Sequence, residues 1–299
     1  MAFLFGLSFL FIKIGLESFS ALELLAYRFF LAAVLLTLLA VTKVIRIQLR
    51  GRPIRMLLLV SLFEPILYFA FETLGIQYTS SAQAGIFIAL IPVFVTAMGV
   101  IFLKEIPSTR QWFFISISVA GVVLILILSG SSLEGGVHLI GILFLLGAVL
   151  SAGGYNILCR KVTAYFTPIE ITFVMMWIAA LFFSMLYAVQ RIATGSSGSF
   201  SNVFTLAGAI PLLYLGVFCS IGAYFLLNYV LSRLTVARAA VFSNLVTVVA
   251  VLAGIVYYGE TFRWYEALGG LLIIVGVWGT NYYAAKDSAA QPQPPAQIY

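Results

Sequence analysis

Residues 81–105 read SAQAGIFIALIPVFVTAMGVIFLKE, an apolar stretch that ends in a lysine–glutamate pair. A second stretch, VARAAVFSNLVTVVAVLAGIVYYGE at residues 236–260, aligns with it without a gap at a displacement of 155 positions. The alignment places Glu260 on Glu105, and glycines recur at matching positions. Self-similarity at one long displacement indicates that the chain contains an internal duplication.

A second pair of stretches extends the duplication towards the N-terminus. GLSFLFIKIGLESFSALE at residues 6–23 matches GGYNILCRKVTAYFTPIE at residues 153–170, with a displacement of 147. The extra eight positions are absorbed by the loop TGSSGSFSN at residues 194–202. The duplication therefore covers nearly the whole chain.

The composition places the chain in a membrane. Hydrophobic residues make up 63% of the 299 residues and charged residues 9%, against about 25% charged residues in soluble domains. The mean hydropathy is +1.13. A spanning helix needs about 20 apolar residues, and the apolar runs predict ten such helices, near residues 2–17, 20–43, 55–75, 82–103, 111–129, 138–159, 168–190, 209–232, 237–258 and 265–285.

Each repeat contains five predicted helices, and this odd number determines their relative orientation. The second repeat must enter the bilayer from the opposite side, so we predict an all-α integral membrane protein of two inverted five-helix repeats. The repeats span residues 1–130 and 131–285, followed by a disordered tail at 286–299. Inverted repeats place a substrate site near the bilayer midplane and allow one half to rock against the other.

The distribution of basic residues predicts the orientation. The predicted side that holds the N-terminus carries twelve of them, namely Lys43, Arg46, Arg50, Arg52, Arg55, Lys104, Arg110, Arg160, Lys161, Arg233, Arg238 and Lys286. The other side carries three, namely Lys13, Arg191 and Arg263. By the positive-inside rule both termini lie in the cytoplasm and the protein lies in the plasma or inner membrane.

The repeated segments resemble a known family of carriers. GLSFLFIKIGLESFSALELLAYRF at 6–29, TLGIQYTSSAQAGIFIALIPVFVTAMGVIFLKE at 73–105 and the equivalent stretch at 239–260 are similar to the EamA family of the drug/metabolite transporter superfamily. The resemblance implies a ten-helix secondary carrier, often an exporter of amino acids, other metabolites or toxic compounds. The first helix departs from the pattern, since only Met1 to Ile12 precede Lys13, and we expect a shortened gene start.

Two glutamates in the third predicted helix are the leading functional candidates. Glu64, Tyr68 and Glu72 are spaced at i, i+4 and i+8 and so share one helix face. A carboxylate at mid-bilayer costs about 2.5–3.5 kcal/mol, and Pro65 removes one backbone hydrogen bond beside Glu64. Glu64 is therefore predicted to couple transport to protons or to recognise a cation. The alternative is an interhelical hydrogen bond.

Other polar and aromatic residues inside the predicted helices are candidates for substrate contacts. Asn156, Asn228 and Asn244 would satisfy a polar substrate if they faced a central cavity, or would join helices by hydrogen bonds. Three aromatic residues, Tyr155, Trp177 and Tyr224, would line a pocket or shield a cation, or would face lipid. Arg28, in the second helix, either snorkels towards the outer side or pairs with an acidic group at the cavity.

Two further glutamates have a structural interpretation. Ser20 to Glu23 and Thr167 to Glu170 have the spacing of capping boxes, the second with a proline at the first helical position. We expect both carboxylates to accept hydrogen bonds from backbone groups at helix starts.

The sequence argues against other classes. His138 is the single histidine and Asp287 the single aspartate, so no HExxH zinc site and no aspartyl dyad exists, and we predict no catalytic, metal or cofactor site. There is no phosphate-binding loop for an ATP-driven pump. The net charge of +6 lies at loops, as orientation in lipid requires, so no nucleic-acid partner is expected. We predict a membrane carrier of small molecules, with an alternating-access mechanism in which protons take part; the alternatives are a non-transporting receptor or scaffold, or an intramembrane enzyme.

Overall fold

A computed structural model describes residues 1–98, 108–129, 135–194, 200–233, 236–259 and 263–290. Its α-helices are α1 Ala2–Ser18, α2 Ala21–Val41, α3 Ile54–Ser61, α4 Tyr68–Tyr78, α5 Ser81–Ile88, α6 Ile91–Met98, α7 Thr109–Ser129, α8 Gly135–Val162, α9 Pro168–Thr194, α10 Leu206–Leu213, α11 Tyr224–Arg233, α12 Val236–Tyr258 and α13 Trp264–Ala290. Residues Leu62–Leu67 and Tyr214–Ala223 are π-helical, and Phe200–Phe204 form a 3₁₀ turn. The described part of the chain is thus helical in all its regular elements.

The helix starts follow the capping signals in the sequence. The hydroxyl of Ser20 accepts a hydrogen bond from the Glu23 backbone N–H, and the Glu23 carboxylate accepts one from the Ser20 N–H. Thr167 and Glu170 make the same reciprocal pair. Both predicted capping boxes are confirmed.

Five helical segments among the described residues are long and apolar enough to cross a membrane. They are Ala21–Val41, Ile54–Tyr78, His138–Val162, Pro168–Thr194 and Leu206–Arg233. Shorter apolar helices cover Ser81–Thr96, Thr109–Ile125 and Leu245–Tyr258. The predicted fold class is confirmed at this level: an all-α protein with the helices of a membrane protein.

Two of the long segments are interrupted in the middle. In Ile54–Tyr78 the π-helical turn contains Pro65, and Glu64 has the extended backbone angles φ −147° and ψ 117°. In Leu206–Arg233 a longer π-helical stretch follows Pro211. The predicted span 82–103 is also divided, since α5 ends at Ile88 and α6 begins at Ile91, next to Pro92.

The bundle is closed by pairs of helices that pack along their length. The main pairs are α7 with α13, α2 with α9, α4 with α8, α1 with α12 and α5 with α12. Glycines permit the closest of these contacts: a Cβ on Gly121 would lie 2.5 Å from the carbonyl oxygen of Gly269, and one on Gly85 would lie 2.5 Å from the Ala250 Cβ. Small residues at such contacts are how helices approach in lipid.

The C-terminal end differs from its prediction. α13 continues to Ala290, so the first residues of the predicted tail at 286–299 are helical, and the rest of that tail lies outside the described residues. Glu105 and Glu260, which align in the duplication, also lie outside them.

Candidate functional site

A cavity lies where both interrupted segments meet α1, α2, α5, α6, α8 and α12. Its volume is about 100 Å³, several times the roughly 10–15 Å³ that one water molecule needs. The polar residues of its wall are Ser8, Arg28, Glu64, Tyr68, Glu72, Asn156 and Tyr224. The rest of the wall is mostly apolar. Such a cavity, with few polar groups in an apolar wall, is typical of a small-molecule site.

Glu64 reaches the cavity because the helix is interrupted at its own position. Its extended backbone and the following Pro65 replace a regular turn. The side chain is 4% exposed, and its Oε1 accepts a hydrogen bond from the hydroxyl of Tyr224 at the start of α11. The two interrupted segments are therefore joined by a hydrogen bond at the cavity.

Glu72 lies two turns further along the same segment and is 2% exposed. The hydroxyl of Tyr68 donates a hydrogen bond of 2.8 Å to Glu72 Oε1. Glu72 Oε2 is buried without a hydrogen-bond partner. Tyr68 thus orients the carboxylate and leaves one oxygen free for another donor.

Arg28 of α2 brings a positive charge to the same cavity. The side chain is 1% exposed, which rules out the predicted alternative that it snorkels to the membrane surface. Its Nε donates to Ser220 Oγ at 3.4 Å, and its guanidinium carbon lies 4.4 Å from the ring centre of Phe69. Its Nη1 has no hydrogen-bond partner. Cation–π contact and one hydrogen bond hold the guanidinium in place.

The other predicted site residues differ in their position relative to the cavity. Asn156 lines the cavity, where its Nδ2 donates to the Ala152 carbonyl at 2.7 Å. Trp177 donates to Thr37 Oγ1 at 2.9 Å and is not part of the cavity wall. The side chain of Asn244 lies outside the described part of the structure.

Asn228 belongs to a buried network behind the cavity. Its Oδ1 accepts hydrogen bonds from the Tyr155 hydroxyl and, at 3.3 Å, from the Cys159 thiol. Its Nδ2 donates to Thr172 Oγ1 at 2.9 Å. The network joins α11 to α8 and α9 by hydrogen bonds. Asn228 therefore has the structural role given above as the alternative to a substrate contact.

Three polar members of the cavity wall, Ser8, Arg28 and Tyr224, were not among the leading candidates from sequence. Arg28 remained open between two interpretations, and Tyr224 was considered only as an aromatic residue that would line a pocket or face lipid. The sequence signal that could have selected Arg28 is an arginine in the middle of an apolar helical run, with apolar residues on both sides. Nothing local distinguishes Tyr224, because its role depends on Glu64 from another helix.

Within the described ranges, no group of three or more His, Cys, Asp or Glu side chains is placed to hold a metal ion. The cavity instead combines one guanidinium, two carboxylates and phenolic hydroxyls inside a bundle of apolar helices. Buried ionisable residues of this kind mark substrate and ion pathways in membrane proteins. Fold and cavity together are those of a membrane transport protein.

Comparison with known proteins identifies the family. The sequence model of the EamA-like transporter family matches residues 1–127 and 139–282. The chain belongs to this family, as its sequence resemblance implied, and it is a multi-pass membrane protein that transports a small molecule.

Individual relatives agree with this assignment. The uncharacterized transporter YcxC of Bacillus subtilis is 34% identical over 294 residues, which cover 98% of this chain and 94% of the relative. A protein of Salmonella typhimurium named "Probable amino-acid metabolite efflux pump" is 26% identical over 277 residues, covering 91% and 89%. One protein crystal structure shares the fold, with a TM-score of 0.60 at 17% identity over 95% and 98% of the two chains.

Proposed function

We propose that the protein is a secondary carrier that works by alternating access between two inverted five-helix repeats, residues 1–130 and 131–285. The family model matches the chain in two consecutive segments, 1–127 and 139–282, which supports this division. The ten predicted spans then correspond to α1, α2, α3–α4, α5–α6, α7, α8, α9, α10–α11, α12 and α13. The short helices are parts of interrupted spans.

The helix pairs support a two-fold relation between the repeats. α2 packs on α9, and α7 packs on α13; each of these pairs joins a span to its equivalent in the other repeat. The contact of α4 with α8 has its counterpart in the contact of α1 with Tyr214–Ala223. The cavity lies between the two sets, where rocking of one repeat against the other would open it to either side.

We further propose that the carrier exports amino acids or related small metabolites from the cytoplasm, with both termini on the cytoplasmic side. The name of the Salmonella typhimurium relative supports this substrate class and direction. The excess of basic residues on the N-terminal side supports the orientation. The partners are then the lipid bilayer, the small-molecule substrate and protons.

Glu64 is the residue that we propose to carry the coupling proton. The observation behind this proposal is its position: a buried carboxylate at a helix interruption, in the cavity wall, bonded to Tyr224 of the other repeat. The titratable groups that interact electrostatically with it are Tyr68, Glu72, Tyr155, Cys159 and Tyr224. A change of charge at Glu64 alters the contact between the repeats, which links protonation to their movement.

The experiment is transport by the full chain in liposomes. Counterflow with a panel of amino acids, organic cations and organic anions tests for a carrier, and flux driven by an imposed pH gradient tests for coupling. We expect Glu64→Gln to lose pH-driven flux while counterflow remains. Glu23→Gln is the matched control, because Glu23 is a buried helix glutamate outside the cavity wall and glutamine also serves a capping box.

Two results would contradict the proposal at different levels. Absence of counterflow for every compound would favour the receptor or scaffold alternative over a carrier. Normal pH-driven flux in Glu64→Gln would leave the carrier in place and remove Glu64 from its coupling.

A further inference from the structure

Two buried atoms of opposite charge lack hydrogen-bond partners in the cavity wall. Arg28 Nη1 is a donor and Glu72 Oε2 is an acceptor, and neither is bonded in the structure. Both side chains line the same cavity. A buried charged group with an unmet hydrogen bond is costly, so ligand or water groups that bond these two atoms are favoured.

The two atoms are held in position although they are not bonded to each other. Arg28 is fixed through Nε by Ser220 at 3.4 Å, and Glu72 is fixed through Oε1 by Tyr68 at 2.8 Å. Their charges attract each other. The pair is therefore a preorganised donor and acceptor whose charges sum to zero.

On the basis of the proposed transport function, we propose that this pair recognises a zwitterion: Arg28 Nη1 binds the substrate carboxylate and Glu72 Oε2 binds its ammonium group. An α-amino acid presents these two groups one carbon apart and carries no net charge, like the pair itself. An anion would leave Glu72 without a donor, and a cation would leave Arg28 without an acceptor. Ionised partners make the strongest hydrogen bonds of this kind.

The rest of the cavity fits the same substrate. Phe5, Phe9, Ile88 and Val246 form apolar parts of the wall, where an apolar side chain of the amino acid would lie. Glu64 is engaged by Tyr224 and is not needed to balance the zwitterion. Substrate recognition and proton coupling thus use different carboxylates.

Three compounds with one side chain test the proposal in wild-type protein. In counterflow of radiolabelled L-leucine into liposomes that contain the full chain, unlabelled L-leucine, leucinamide and N-acetyl-L-leucine serve as competitors. The amide lacks the carboxylate, and the N-acetyl compound lacks the ammonium group. We expect each to compete at least about tenfold more weakly than L-leucine, since each leaves one buried charge unpaired. The same trio is repeated for valine and phenylalanine.

Variants assign each preference to one residue. In Arg28→Gln, leucinamide should compete within about threefold as strongly as L-leucine. In Glu72→Gln, N-acetyl-L-leucine should compete within about threefold as strongly as L-leucine. In each variant the group that penalises the analogue is gone. Arg110→Gln and Glu23→Gln, which change an exposed arginine and a glutamate outside the cavity, should keep the wild-type ratios. If Arg28→Gln fails to fold, Arg28→Met, which also removes the charge, replaces it with the same expected result.

The results separate this inference from the proposed function. Flux of organic cations or anions without flux of any free amino acid overturns zwitterion recognition while a carrier remains. Equal competition by L-leucine and leucinamide in the wild type also overturns it, as do unchanged ratios in folded Arg28→Gln and Glu72→Gln. Absence of flux for all compounds, in contrast, contradicts the carrier itself.

Discussion

The two halves of the chain share their pattern of apolar helices and differ in the charges that they bring to the cavity. Arg28, Glu64 and Glu72 of the first half all line it. The positions that align with them at the displacements of 147 and 155 are Met175, Cys219 and Leu227. The pattern of apolar helices recurs in both halves, whereas among the described residues the charged side chains of the cavity wall come from the first half. The cavity is therefore asymmetric in charge, as the proposed recognition of a zwitterion requires.

The second half supplies neutral hydrogen-bond partners to two of these charges. Tyr224 donates to Glu64, and Ser220 accepts from Arg28. Features that serve the fold are shared by both halves, including the capping boxes at Glu23 and Glu170. Residues that stabilise the fold, such as the capping glutamates, thus occur in both halves, whereas the charged residues of the cavity occur in the first.

The largest difference in pH-driven flux is expected between a variant of Glu64 and a variant of the aligned Cys219. Glu64→Gln should reduce flux driven by a pH gradient to the background of empty liposomes, since an amide side chain does not take up or release a proton. Cys219→Ser should leave it within about twofold, because a serine hydroxyl can replace the thiol that donates to the Leu4 carbonyl at 3.3 Å. Equal losses in the two variants would show that the halves are functionally equivalent.

The next difference concerns Asn228 and the aligned Thr73. Asn228 makes three buried side-chain hydrogen bonds. At roughly 0.6–1.7 kcal/mol each in a membrane protein, Asn228→Ala should lower the free energy of unfolding by about 2–5 kcal/mol. Thr73 Oγ1 is buried without a partner, so Thr73→Val should leave stability unchanged or raise it by up to about 1 kcal/mol. Thermal unfolding in detergent measures both.

The capping glutamates provide a smaller contrast. Glu170 also accepts from the Gln48 N–H at 2.9 Å and from Arg52 at 2.8 Å, so Glu170→Gln should lower stability by about 0.5–1 kcal/mol. It should also speed trypsin cleavage in the loop at residues 42–53. Glu23→Gln, which keeps its capping box, should leave cleavage of this loop unchanged. Faster cleavage in both variants would mean that the loop is not held by Glu170.

The smallest effect is expected at Trp177. Trp177→Phe removes the hydrogen bond to Thr37 and should lower stability by about 1 kcal/mol or less, with counterflow per folded protein unchanged. A loss of counterflow in well-folded Trp177→Phe would instead support the prediction from sequence that Trp177 contacts substrate.

The candidate site was partly accessible from sequence. Glu64, Tyr68 and Glu72 stood out because carboxylates inside an apolar run are costly and Pro65 marks a break, and all three line the cavity. From the sequence alone, Asn156, Asn228 and Asn244 were equally good candidates for substrate contacts. Asn156 faces the cavity and Asn228 a structural network, a distinction that depends on the rotation of each helix about its axis.

The sequence by itself determined the membrane class, the duplication, the family and the presence of buried carboxylates, because hydropathy, repeat spacing and residue type are local properties of the chain. The tertiary structure alone decided which buried side chains meet: Arg28 with Glu72 at one cavity, Tyr224 with Glu64, and Asn228 with Tyr155. The physical reason is that lipid and protein interior are similarly apolar. A helix that is apolar on every side does not show in its sequence which face turns inward, and that rotation is set by packing against helices from distant parts of the chain.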